Sequence, residues 1–309
     1  MIKFIFIFIL INFFTGASYA ESEYKVIAKI NKKIITNYDI DKEKNFLLAL
    51  NPAVSSASQD EIKEMSKYSI IKEIIKEEEI SKYIDINYDN PKLIALTKNI
   101  YLKLNLKNET EFKNYLLEKN IAIQGVLRKL AIEAAWNSLI YDKFYNKVNI
   151  DEIKIKKTID DLLKNSEKQK MFFLSEILFT GKDKKEIDEK YNKILQSIKN
   201  NGFNNTAAIY SESDSAKFSG EIGWIRKNEV SELIYKEISE MKTLSYSQPI
   251  KIPSGFIIIY LNDLKEEKIE IDYDVELKKM ITYEKNRQLN MYSTIYYKRI
   301  EKNTFIDEK

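Results

Sequence analysis

The stretch SDSAKFSGEIGWI (Ser213–Ile225) decides how this chain is to be read. It places Gly220 and Gly223, two of only seven glycines, beside Trp224, one of two tryptophans. The rest of the sequence is lysine-rich and glycine-poor. Two glycines in four residues give the backbone two points of freedom, suited to a tight turn, because glycine reaches backbone conformations that side chains forbid. The turn requires them whether or not chemistry occurs nearby. Around this point the texture is mixed. Five of the seven glycines and two of the four prolines fall between Gly181 and Gly255. KMFFLSEILF (Lys170–Phe179) reads as a strand ended by Gly181, and a charged amphipathic helix follows to Ile198, stopped by Gly202 in a left-handed cap. QPIKIPSGFIIIYLNDL closes the region as a hairpin around Pro253-Ser254-Gly255. Phe256–Ile259 is apolar at every position, which predicts a central strand covered on both faces.

Outward from this module the chain is helical. VIAKINKKIITNYDI (Val26–Ile40) predicts a hairpin about Asn31–Lys33, then a helix capped by Thr36 and Asp39 and running to Leu50. Ser58 and Glu61 cap a second helix to about Tyr83. Asn90-Pro91 opens a third with proline at its first position, and Asn108 and Glu111 begin a short one. Ile123–Tyr145 is a long helix containing Trp136, and a further helix runs from Asp151 to Leu163. After Glu266 a helix runs from about Asp272 to Tyr297, followed by a weak strand in YKRIEKNTFIDEK. A lone helix is marginal without packing, so the tail is expected to return to the first helical region.

Composition narrows the chemistry. The chain has 309 residues, 44% hydrophobic and 31% charged, with 50 Lys+Arg against 47 Asp+Glu. This is the balance of a globular protein of about two domains, with no basic stripe for nucleic acid. There is no cysteine and no histidine. Disulfides, thiolate nucleophiles, histidine-based triads and HExxH zinc sites are thereby excluded. No phosphate-binding loop is present, so no nucleotide and no other cofactor is expected, and no metal site is read. At the N-terminus, Lys3, the apolar run Phe4–Phe14 and the small-x-small Ser18-Tyr19-Ala20 form a secretory signal pattern. The run of about eleven residues is shorter than the ~20 a membrane-spanning helix needs. Cleavage after Ala20, export to the periplasm and no stable membrane insertion afterwards are the expectations.

The order of parts, with FLSEILF, YSESDSAKFSGEIGWI and IPSGFIIIYLND, resembles the SurA family of periplasmic chaperones carrying one parvulin-like (PpiC-type, rotamase) module. The resemblance covers nearly the whole chain. It implies an α+β fold: a discontinuous, mainly helical chaperone domain plus a parvulin-like α/β module with a small antiparallel sheet. The parts are residues 1–20 (signal peptide), 21–166 (helical domain), 167–265 (parvulin-like domain) and 266–309 (return segment). The family's two cleft histidines map by motif to Glu176 and Ile257, and its Cys/Asp position to Ser213. The proline pocket maps to Ile222, Val230 and Ile234, with Trp224 and Phe256 as further pocket residues. No residue is assigned as catalytic. The implied function is ATP-independent binding of unfolded outer-membrane polypeptides to assist their folding and assembly, with isomerase activity weak or lost. The alternative is an active periplasmic peptidyl-prolyl cis-trans isomerase.

Overall fold

In a computed structural model, residues 24–164, 169–267 and 272–309 are described; the signal-like residues 1–20 lie outside them. The chain enters through β1 (Val26–Ile30) and β2 (Lys33–Thr36), an antiparallel hairpin turned by Asn31 at φ 49°. Asparagine is one of the few side chains that tolerates this left-handed position. Thr36 and Asp39 form a reciprocal capping box that starts α1 (Asn37–Leu50). Ser58 and Glu61 do the same for α2 (Gln59–Ile80). Two short helices follow, α3 (Leu93–Leu96) and α4 (Lys98–Lys103), then α5 (Glu109–Glu118), α6 (Ile123–Phe144) and α7 (Glu152–Lys164). The third helix does not open on Pro91. Asn90 Oδ1 accepts from the Lys92 amide at 3.0 Å, and this side-chain turn carries the chain two residues past the proline before α3 begins.

The module begins with β3 (Gln169–Phe179), followed by α8 (Lys184–Asn201), α9 (Phe203–Tyr210) and β4 (Glu221–Arg226). It continues through α10 (Glu232–Glu240), β5 (Ser245–Tyr246), β6 (Ile250–Ile252) and β7 (Gly255–Glu267). The sheet is antiparallel in the order β4-β3-β7-β5, with β6 also on β7. β7 is the central strand its sequence predicts. Ile257, Ile259 and Leu261 face α10, while Ile258 faces Ile194, Phe203 and Ala207 of α8 and α9. It runs past Leu261 to Glu267 because β3 pairs with it along its whole length, Gln169 opposite Glu267 and Phe179 opposite Phe256. Gly202 has φ 79° but an extended ψ of 166°, so it is not a left-handed cap; it turns α8 directly into α9.

The tail differs from its expected form. α11 (Tyr273–Asn303) runs 31 residues, through the segment read as a weak strand, and only β8 (Ile306–Glu308) is extended. β8 pairs with β1, giving the sheet β2-β1-β8. Trp136 of α6, 1% exposed, donates from Nε1 to Ser293 Oγ of α11 at 2.8 Å and packs against Tyr296. The helical domain is therefore discontinuous, closed by its two chain ends around the module. The module docks on it in two places. Ala208 and Ile209 of α9 pack on Val54, Ile62 and Met65, and Glu212 pairs with Lys298 at 2.9 Å. On the other side Arg226 pairs with Glu276, and Glu229 with Lys279 at 3.3 Å.

Candidate functional site

Between these two docking points lies a cleft of ≈ 960 Å³. Its floor is the α10-facing side of the module sheet, with Leu174, Ile225, Ile257 and Ile259. Ile222, Val230 and Ile234 line its rim. The opposite wall is not part of the module. It is supplied by Ile155 and Thr158 of α7 and by Met280, Tyr283 and Met291 of α11.

The glycines of SGEIG shape this floor. Gly220 has φ 77°, and a Cβ there would stand 2.5 Å from the Glu176 carbonyl oxygen and 2.6 Å from the Ala207 Cβ. Only glycine lets the loop lie so close to β3. The Gly220 carbonyl in turn accepts from the Glu176 amide at 2.8 Å. Gly223 has φ 98° and serves a β-bulge: Leu174 pairs with Gly223 and Ser175 with Glu221, so Ile222 is the extra residue. Bulges re-aim side chains, and Ile222 lines the cleft. The loop pressed against β3 delivers two hydroxyls to Glu176. Ser213 caps a 3-10 turn by accepting from the Ser215 amide. Ser213 Oγ donates to Glu176 Oε1 at 2.7 Å, and Ser215 Oγ donates to the same oxygen at 2.9 Å.

Burial pushes the Glu176 carboxyl above the usual carboxylate range. The two serine hydroxyls offset part of this, and the neighbouring Asp214 carboxylate adds to it. Across the cleft, burial first, and then the charges of Glu229 and Glu176, push the Tyr283 hydroxyl up, with Arg287 opposing. Two arginines near the site are engaged elsewhere. Arg226 is held by Glu229 and Glu276, and Arg287 by Glu284 at 2.7 Å. Among the described residues no group of three or more acidic side chains gathers that would hold a metal ion.

Six of the eight residues singled out from sequence meet in this cleft: Glu176, Ser213, Ile222, Val230, Ile234 and Ile257. Trp224 and Phe256 do not. Strand side chains alternate between faces, and both are neighbours of inward residues. Trp224 lies on the far face against Phe173, ring centroids 5.3 Å apart, with Lys265 over it. Phe256 stacks on Phe179 at 5.8 Å, in the core under α8. Sequence reasoning missed Ser215, although it stands in the opening stretch two residues from Ser213. It also missed the α7/α11 wall, for which no local signal exists.

A twisted antiparallel sheet carrying α8 and α9 on one face, with a cleft under α10 on the other, defines a parvulin-type module. Residues 170–263 match the Rotamase family, the PPIC-type PPIASE domain. The chain is 24% identical over 298 residues to Chaperone SurA of Buchnera aphidicola subsp. Schizaphis graminum, a match covering 86% of this chain and 64% of that protein. It is 23% identical over 281 residues to Chaperone SurA of Buchnera aphidicola subsp. Acyrthosiphon pisum, covering 87% and 65%. The chain thus spans just under two thirds of the length of these curated relatives. Among solved structures, one of the SurA-like chaperones PEB4 and Cj1289 of Campylobacter jejuni is matched at 12% identity and a TM-score of 0.39, over 92% of this chain and 98% of that one. The chain carries one PPIC-type module and is similar over most of its length to Chaperone SurA.

Proposed function

We propose that this chain is an ATP-independent periplasmic chaperone that binds unfolded outer-membrane polypeptides and assists their folding and assembly, with isomerase activity weak or lost. The carrying observation is the cleft itself. It offers apolar walls from both domains, while the two positions the parvulin family fills with histidine hold Glu176 and Ile257. Holding a client needs buried apolar area, about 25 cal/mol per Å² before the cost of ordering is subtracted. Isomerisation needs contacts stronger to the twisted amide than to the planar one, and the Ile257 side chain has no polar atom to make them. Unfolded outer-membrane polypeptides expose apolar strands that aggregate unless shielded. The folding units of this reading are residues 21–166 with 266–309, and 167–265. Its export signal is residues 1–20, so periplasmic material should begin at Glu21 by mass spectrometry.

The test pairs two assays on the mature protein. Aggregation of an unfolded outer-membrane protein should be slowed. The cis-trans relaxation of a prolyl peptide should be accelerated little beyond the uncatalysed rate. Failure to slow aggregation overturns the chaperone reading. A rate matching that of a histidine-bearing parvulin would instead establish the second reading, an active peptidyl-prolyl isomerase. Glu176 with its two serines, a polar group kept among the apolar residues of the cleft floor, favours that alternative.

A further inference from the structure

We propose that the Glu176 carboxyl, held by Ser213 and Ser215, is a hydrogen-bond donor site for a backbone carbonyl of an extended, apolar client segment lying in the cleft. This rests on the reading that the cleft receives clients. Geometry decides which oxygen acts. Oε1 already accepts from two hydroxyls, at 2.7 and 2.9 Å. Ser213 Oγ accepts from the Ser215 amide, so its own hydrogen is directed to Glu176. A proton on the carboxyl therefore sits on Oε2, which makes no hydrogen bond among the described residues.

The groups around Glu176 favour that proton. Asp214 stands beside it on the 3-10 turn, and Tyr283 faces it from α11 with Glu229 near. Of the cations, Arg226 belongs to Glu229 and Glu276, and Arg287 to Glu284. Lys154 of α7 and Lys251 of β6 line the cleft with Asp151, and neither pairs with Glu176. Burial without a cationic partner shifts a carboxyl toward its neutral form. A neutral carboxyl donates, whereas an ionised one only accepts. The occupant follows from this polarity. Proline has no amide hydrogen, so a segment around it presents carbonyl acceptors with one donor fewer. A donor set in apolar walls suits such a segment, and an ionised Glu176 would oppose it.

The experiment uses the mature full chain and a fluorescein-labelled apolar peptide with one central Ala-Pro. Affinity is measured by anisotropy from about pH 8 to about pH 5. Binding should tighten on acidification, by at most about tenfold per pH unit for a single linked proton. Glu176→Gln, whose amide donates at every pH, should bind with a flat profile near the acidic wild-type value. A flat wild-type profile, or the same slope in Glu176→Gln, overturns the proposal. A second measurement needs no variant. Saturating peptide should raise the Glu176 titration midpoint followed by carboxyl carbon NMR, because linkage is reciprocal; an unmoved midpoint overturns it. Absence of peptide binding at every pH, with aggregation still suppressed, overturns this site and leaves the chaperone reading. Loss of both removes the reading on which it rests.

Discussion

At the scale of single residues, Gly220 and Gly223 look alike in sequence and differ in what they do. A side chain at Gly220 strikes the Glu176 carbonyl and Ala207, whereas one at Gly223 meets nothing within 4 Å. Both pay backbone strain at positive φ, but only Gly220 adds a clash. Gly220→Ala should therefore cost upward of about 3 kcal/mol and Gly223→Ala about 1–2 kcal/mol, by chemical denaturation. Glu176 predicts a pH dependence of stability. Its carboxyl is raised in the folded chain, so its favourable contribution is complete below the ordinary carboxylate range and is lost as pH rises through the folded value. Glu176→Gln removes the buried charge. Its Tm should exceed that of the wild type at about pH 8, and the gap should close towards about pH 4. A gap that is constant with pH would mean the carboxyl is not the cause.

At the scale of elements, α11 shows why periodicity can be loose in a helix that is fully formed. A helix with one neighbour carries one apolar stripe. α11 has several neighbours in turn. Met280 packs on Ile155 and Ile159 of α7, Tyr283 and Met291 face the cleft, and Tyr296 and Tyr297 meet Trp136 of α6. Met280, Tyr283 and Met291 share one face while Tyr296 and Tyr297 lie well round from it, so the apolar stripe shifts along the helix and no single stripe runs its length. The α6–α11 contact centres on Trp136, which is buried with its Nε1 bonded to Ser293. Trp136→Ala should cost about 3–5 kcal/mol. Ser293→Ala, which leaves a buried indole donor without its partner, should cost about 1–3 kcal/mol. Thermal or urea unfolding of both variants checks the order.

At the scale of the whole molecule, the helical domain is completed only when β8 reaches β1 and α11 reaches α6. A fragment of residues 21–166 lacks both and should expose apolar surface, aggregate and unfold without cooperativity. The same fragment linked to residues 266–309 should be soluble and cooperative, and 167–265 should fold alone. A soluble, cooperative 21–166 would contradict the closure. Glu212 holds one of the contacts between the two parts, through Lys298. Burial alone would raise its carboxyl, but Lys298 and Lys190 outweigh this and hold it below the ordinary range. Its contribution is present above the ordinary carboxylate pKa and is lost as pH falls through the lowered folded value. Glu212→Gln should lose roughly 2 kcal/mol at neutral pH. It should also widen the interdomain distance by small-angle scattering, with both effects shrinking in acid.

The amino-acid sequence determined by itself what depends on neighbours along the chain. The capping boxes at Thr36 and Ser58, the hairpin about Asn31, the doubly covered β7 and the paired turn glycines are local conflicts between backbone and side chain, each written in a few residues. The positions Glu176, Ser213 and Ile257 were named only through the resemblance to the parvulin motifs, and no local physics of their neighbours singles them out. Which face a strand residue takes was not legible in β4 or in an apolar run like that of β7. Alternation is visible only against a known core, and so Trp224 and Phe256 were placed in the cleft they face away from. Tertiary structure alone decided that α7 and α11 close the cleft, and that Tyr283 stands across from Glu176. Those residues lie about a hundred positions apart, and nothing in either stretch encodes the other. They meet because β8 pairs with β1 and α11 packs its Tyr296 and Tyr297 into the core that holds Ala28, Ile30 and Trp136, and that closure carries α11 past the module's open face.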